Sequence, residues 1–236
     1  MQVEILGVKI NNINFDNTLQ KIEAFLNSET QHHIVTVNPE FLVRANKDLE
    51  FLKILNNSSL SVPDGIGIIF ASYFLNKKIK SRVSGVDLMI KTCEKAKEKG
   101  WQVLLYGAEA GIAGIVAKKL NLKYPGLKIR VLLENTDWNL SDITKPAIMF
   151  VALGSPKQEK WIAQNLNNYP IIKAAIGVGG SFDFISGKIR RAPKLLRKVG
   201  LEWFWRLLVQ PWRIKRIYKA VLVFPYLVLK EKIKKI

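Results

Sequence analysis

Along this chain a short apolar run repeatedly ends in a polar or glycine-rich turn that opens a helix: after Val37, Val62, Tyr106, Leu153 and Ile176. Such alternation of strand and helix predicts an α/β fold, Rossmann-like, with a mostly parallel sheet flanked by helices. Parallel strands send their carboxyl ends to one edge, and ligands bind at that edge in open sheets. Thr36, Asn38, Asp64, Arg82, Gln158 and Asp183 lie in or beside such turns, so the topology would gather them into one crevice.

Each turn admits a capping role and a chemical one. In SVPDG, residues 61–65, Asp64 stands between a strand end and the apolar run 66–75, readable as a helix. It is placed either to cap that helix, with Pro63 stiffening the turn, or to act as a base at the sheet edge. The strand 33–37 leads into Asn38 and Pro39, an N-cap followed by proline at the first helical position, with Thr36 beside them. Upstream, residues 3–10 read as one or two strands, and Asp16 is the expected cap of a helix carrying Leu19, Ile22, Phe25 and Leu26 on one face. RVSGVD, residues 82–87, opens a helix, and Arg82 either holds a phosphate against that helix start or pairs with Asp87. After the strand 101–106, GAEAGIAG is glycine-rich but lacks GxGxxG, and no acidic partner follows at dinucleotide spacing. Strands at 127–133 and 146–153 follow, the second the most apolar of the chain. In GSPKQEKW, residues 154–161, Ser155 is the expected N-cap and Glu159 occupies the capping-box position. Residues 171–176 then run into GVGG, whose glycines imply close backbone approach.

The charge is unevenly placed. Of the formal +18, residues 188–236 carry +13, from fifteen Lys or Arg against Glu202 and Glu231, which leaves +5 for the rest. The boundary suggests a catalytic core, residues 1–190, and a basic helical C-terminal appendage, residues 191–236. In the appendage Trp203, Phe204, Trp205, Trp212, Tyr218, Phe224 and Tyr226 mix with the basic residues. That mixture suits an element lying in an anionic membrane interface, and its aliphatic content exceeds what nucleic-acid stacking needs. The apolar run 220–229 contains Pro225 and is too short to span a bilayer. The single cysteine, Cys93, and an N-terminus without signal-peptide features lead us to expect a cytoplasmic protein. His32 and His33 have no partners in the sequence to complete a metal site, and no DxD motif or suitable carboxylate pair stands out, so metal-independent chemistry is expected. The competing class is a non-catalytic basic adaptor for membrane or nucleic acid.

TVNPE, SVPDG, RVSGVD, VALGSPKQEKW, GVGGSFDFISGKIRRAP and GLEWFWRLLVQPWRIKR together resemble the WecG/TagA/CpsF family of bacterial glycosyltransferases, from about residue 3 to 216. The resemblance implies transfer of N-acetylmannosamine or a related sugar from a UDP donor to a polyprenyl-diphosphate-linked N-acetylglucosamine, at the inner face of the membrane, in teichoic acid, common antigen or capsule synthesis. By motif it implies Asp64 as general base, Thr36, Asn38, Arg82 and Gln158 as pocket residues, and Arg206, Arg213 and Arg216 as tail arginines that meet the diphosphate. Self-association is a further expectation. The loop 135–140 departs from the family pattern, and within it Trp138 is the candidate to stack on uracil.

Overall fold

The computed structural model describes residues 1–134, 136 and 138–234; Asn135 and Asp137 of the departing loop lie outside it. The chain opens with a hairpin, β1 (Gln2–Ile5) and β2 (Val8–Asn11), paired from Ile5 opposite Val8. Its two-residue turn, Leu6 and Gly7, has positive φ at both positions, as a type I′ turn requires. Helix α1 (Phe15–Leu26) follows. Its cap is Asn14, whose Oδ1 accepts from Asn17 N at 2.8 Å, so Asp16 sits in the first turn and not at the expected cap. The remaining elements alternate: β3 (His32–Val37), α2 (Pro39–Ala45), α3 (Leu49–Asn56), β4 (Leu60–Pro63), α4 (Ile66–Phe74), α5 (Gly85–Lys99), β5 (Gln102–Gly107), α6 (Ile112–Lys123), β6 (Ile129–Leu132), β7 (Ala147–Ala152), α7 (Lys157–Asn165), β8 (Ile172–Gly177) and α8 (Ser181–Ser186).

Six strands form one parallel sheet in the order β4-β3-β8-β7-β5-β6. Successive strand residues point to opposite faces, and here both faces are covered. Val103, Leu105, Ile148 and Phe150 pack toward α1, α5, α6 and α8. Leu104, Tyr106, Met149 and Val151 pack toward α7, while Val35 and Val37 join α2, α3, α4 and the hairpin. Burial on two faces is why β7 reads as an unbroken apolar run.

The tail is helical throughout: α9 (Lys194–Lys198), α10 (Glu202–Val209), a single 3-10 turn (Pro211–Arg213), α11 (Ile214–Tyr218), a π-helical turn (Lys219–Val223) and α12 (Phe224–Ile233). The last three run on as one rod. Pro225 has no N–H to give to the preceding turn and its ring crowds it, and the widened π turn lies just ahead of it. Several contacts hold the tail to the core. Gly200 lies so close to α4 that a Cβ there would meet Ile66 at 2.7 Å. Phe224 and Val228 are buried in the cluster of α2, α3 and α4. Glu231 accepts from Leu6 N at 2.8 Å and pairs with Lys77 at 3.3 Å. Among the described residues no helix is long and apolar enough to cross a membrane.

Phe224 is the largest apolar side chain that the rod inserts into the core. Phe224→Ala should remove about 3–5 kcal/mol of packing, chiefly from the docked tail. Limited trypsin digestion should cut first within residues 215–232, at a urea concentration where the wild-type tail resists.

Candidate active site

One cavity of about 1510 Å³ runs along the carboxyl edge of the sheet. The ends of β3, β4, β7 and β8, the starts of α2, α5 and α7, and the tail all contribute to its wall. Thr36, Asn38, Asp64, Arg82, Gln158 and Asp183 line it, as the strand-end argument anticipated, and so do Arg206, Arg213 and Arg216 of the tail.

The turn after β4 sets Asp64. Its N–H donates to Val37 O at 2.7 Å, which extends the sheet by one residue past Pro63. Gly65 then takes φ 95°, a left-handed value that favours glycine, and α4 starts with Gly65 as a cap that has no side-chain bond. Asp64 is therefore not the cap of α4. Its carboxyl turns to the start of α5, where Gly85 N donates to Oδ2 at a long 3.5 Å. Burial pushes the Asp64 pKa up to about 6; the Glu202 carboxylate adds to the rise, while Arg82 and Arg206 and the Gly85 N–H oppose it. Thr36 stands beside it, donating from Oγ1 to Gly177 O at 3.3 Å. Asn38 caps α2, its Oδ1 accepting from Glu40 N and Phe41 N at 3.0 and 3.2 Å.

Arg82 does not pair with Asp87. Its Nη2 donates to Arg197 O at 3.1 Å, and Asp87 is held by Arg191, with Nη1 to Oδ1 at 2.6 Å and Nη2 to Oδ2 at 2.7 Å. Arg191 Nε also faces Glu202 at 3.7 Å. Helix α7 begins at Lys157 with Pro156 as its cap, so Ser155 does not cap it and Glu159 is not in a capping box. Gln158 and Glu159 turn inward instead. Gln158 Oε1 accepts from Gly179 N at 2.9 Å and its Nε2 donates to Glu159 Oε1 at 2.6 Å. Burial pushes Glu159 up to about 7. A Cβ on Gly177 would strike Gln158 Nε2 at 2.6 Å, which explains the glycine there.

Above the GVGG turn the tail brings cations together. A methyl added to Gly180 would lie 3.8 Å from Arg213 Nη2 and 3.9 Å from Arg206 Nη1. Arg206 also stacks over the Phe184 ring, 4.5 Å from its centroid. Burial and the repulsion of Arg216 and Arg206 bring Arg213 down to about 10, and burial lowers Arg206. Arg216 is engaged elsewhere: its Nη2 and Nε reach Glu40 Oε2 at 2.7 and 2.9 Å. Half-buried cations in mutual repulsion form a site for a polyanion. Asp183 contributes the nearby carboxylate, its pKa raised by burial against the pull of Lys188, Arg213 and Arg206.

Trp138 does not line the cavity. Its ring packs against Tyr106, Trp161 and Tyr169 at 4.8, 5.5 and 5.0 Å, and its Nε1 donates to Leu133 O. Trp161 of the same cluster does reach the cavity. Glu202 and Arg191 were not singled out by the sequence; only their position in the GKIRRAP and GLEW segments marked them.

The profile of the Glycosyl transferase WecG/TagA/CpsF family matches residues 3–236. The chain is 35% identical to the N-acetylglucosaminyldiphosphoundecaprenol N-acetyl-beta-D-mannosaminyltransferase of Bacillus subtilis (strain 168), over 94% of this chain and 91% of that one. It is 32% identical to the protein of the same name from Staphylococcus aureus (strain MRSA252), over 98% and 93%.

The raised Asp64 pKa carries a stability consequence. The folded state holds the Asp64 proton more tightly than the unfolded chain, so this stabilisation is complete below the unfolded pKa and is lost as pH rises through about 6. Asp64→Asn should therefore unfold at higher urea than the wild type at pH 7, by on the order of 2 kcal/mol. The gap should close toward pH 4.

Proposed function

The chain belongs to the WecG/TagA/CpsF family of glycosyltransferases, and we propose that it moves N-acetylmannosamine from a UDP donor to N-acetylglucosamine carried on undecaprenyl diphosphate. The names of its relatives support that sugar and that acceptor. The observation that carries the reading is a carboxylate with a raised pKa, Asp64, in the same cavity as the Arg206 and Arg213 guanidiniums that converge over Gly180. A β product from an α-linked UDP sugar requires inversion, hence one displacement. The acceptor hydroxyl gives its proton to Asp64 as its oxygen bonds to the anomeric carbon. The bond from that carbon to the UDP oxygen breaks, and the departing diphosphate takes its electron pair into the field of the arginines.

Arginines take the place that a divalent ion fills in other sugar-nucleotide enzymes. Thr36, Asn38 and Arg82 would line the reacting sugars, while Gln158 shapes the GVGG turn from behind. Residues 191–236 act as the membrane-facing appendage of a core formed by residues 1–190. Phe204, Leu208, Trp212 and Tyr218 are exposed on it beside Arg and Lys, which suits the anionic inner surface of the cell membrane. A non-catalytic adaptor would have no use for a half-buried Asp64 in a cavity that arginines also line.

The test is UDP release from UDP-N-acetylmannosamine, its uronic acid, UDP-glucose and UDP-N-acetylglucosamine, with a lipid-diphosphate N-acetylglucosamine acceptor, in the presence and in the absence of EDTA. Acceptor-dependent release should occur with the first donor, and Asp64→Asn should lower kcat by roughly 10²–10⁴-fold. Equal release by the mutant removes Asp64 as base, and loss of activity on chelation removes the metal-free mechanism.

The base must be deprotonated, so kcat/KM should rise with pH and level off above about 6. Glu202→Gln removes a charge that raises Asp64, and should move this acid limb to lower pH; an unmoved limb would show that the field of Glu202 does not reach the base.

A further inference from the structure

The cavity has two chemically distinct halves. One is the charged edge described above. The other lies between α4 and the rod formed by residues 214–233, where Ile66, Phe70 and Phe74 face Val221, Phe224 and Val228 across the same continuous space. Phe70 is 68% exposed on a helix whose other flank is buried, although water disfavours such an aromatic surface. At the outer end Leu229 adds an apolar edge that is 47% exposed, and Lys232 stands over the Phe74 ring at 4.0 Å. The whole cavity is larger than the roughly 300–1,000 Å³ that a single small ligand fills.

A groove that begins at paired guanidiniums and continues between two apolar helices fits a molecule with a diphosphate head and a hydrocarbon chain. We propose that the channel between α4 and the rod seats the first isoprene units of the lipid acceptor, so that the acceptor is threaded between core and tail. The inference rests on the lipid-diphosphate acceptor proposed above. Two features shape the channel for a branched chain. Gly67 lets α4 close onto Pro39 and Phe224 at the channel's inner end, since a Cβ there would come within 2.9 Å of the proline ring. The π turn Lys219–Val223 contributes Ala220 and Val221 to the wall. The cation over Phe74 marks the mouth, placed to meet an anionic headgroup where the chain leaves the protein.

The experiment uses the full chain without vesicles or detergent, with N-acetylglucosamine diphosphate esterified to dimethylallyl, geranyl or farnesyl alcohol. The kcat/KM should rise roughly tenfold or more from dimethylallyl to farnesyl. Ala220→Trp, which fills the channel, should bring the farnesyl-to-dimethylallyl ratio close to one. Equal efficiency for all three acceptors in the wild type, or an undiminished ratio in Ala220→Trp, overturns the proposal. A binding measurement separates this failure from failure of the transfer reaction. A farnesyl diphosphate ester of N-acetylglucosamine carrying a benzophenone on its last unit should label peptides spanning residues 66–74 and 217–229, whether or not transfer occurs. Labelling confined to the outer face around Trp212 and Tyr218 overturns the channel. So does labelling that phosphatidylglycerol suppresses as readily as unlabelled acceptor, because the groove would then take any lipid chain.

Discussion

Arg191 stands where the core ends and the tail begins, and its guanidinium closes two short bonds onto Asp87 in the first turn of α5. Its Nη2 also reaches Ser84 Oγ at 3.3 Å and its Nε faces Glu202. Burial alone would raise the Asp87 pKa, but the bonds from Arg191 outweigh it and hold that carboxyl below its ordinary value. A half-buried bidentate pair of this kind fixes orientation far better than a solvated one. What it orients is the path of everything after it. Ser84 and Asp87 flank Gly85, whose N–H points at Asp64, while Glu202 opens the helix that carries Arg206. The same guanidinium thus registers the tail arginines against the carboxylate across the cavity.

That registration gathers charges that would not otherwise share a poorly hydrated space. Burial, with repulsion from Glu202 added to it, raises the Asp64 pKa to about 6, so the carboxylate is ionised at neutrality but poorly solvated. Arg206 and Arg213 repel one another, and Arg213 also feels Arg216. Neither set is internally neutralised, because Arg216 leans on Glu40 and Arg82 spends one bond on a backbone carbonyl. A diphosphate entering above Gly180 would relieve the cation repulsion, and a hydroxyl beside Asp64 would give a poorly solvated carboxylate a donor. Under the proposed reaction, each substrate would thereby be drawn to the group assigned to it.

The sheet and its edge were legible in the sequence because burial on both faces writes a strand as an unbroken apolar run, as in residues 147–152, and because strand ends must release the chain through polar turns. The gathering of Thr36, Asn38, Asp64, Arg82 and Gln158 followed from topology alone. Partners were less legible. Asp16 and Ser155 carry good capping side chains, yet Asn14 lies two residues earlier with a better approach to Asn17 N, and the chain around Ser155 enters α7 later. Arg82 and Asp87 are neighbours in sequence, but Arg191, more than a hundred positions away, won the carboxylate. Trp138 read as a stacking surface, and aromatic packing under β5 and β7 consumed it. Local sequence reports propensity, whereas the choice among competing long-range partners is made in three dimensions.

The rod at the end of the tail carries more apolar surface than the core covers. Ile217, Val221, Phe224 and Val228 recur at spacings of four, three and four and turn inward. Tyr218, Leu222, Tyr226, Leu229 and Ile233 follow the same period displaced by about one residue, and they are exposed. Two apolar stripes about 100° apart make an arc wider than the single core-facing stripe of an ordinary surface helix. Phe224 and Val228 of the inner stripe pack into the core beside the channel, whereas the residues of the outer one are 47–63% exposed. Lys215, Lys219, Lys230 and Lys232 border it, as cations border apolar faces that lie in a bilayer surface. If that surface covers the outer stripe, the mouth of the channel beside Leu229 opens at the depth where a polyprenyl chain emerges. The diphosphate then needs to travel only the length of the groove to reach Arg206 and Arg213, so docking of the tail and delivery of the acceptor become one event.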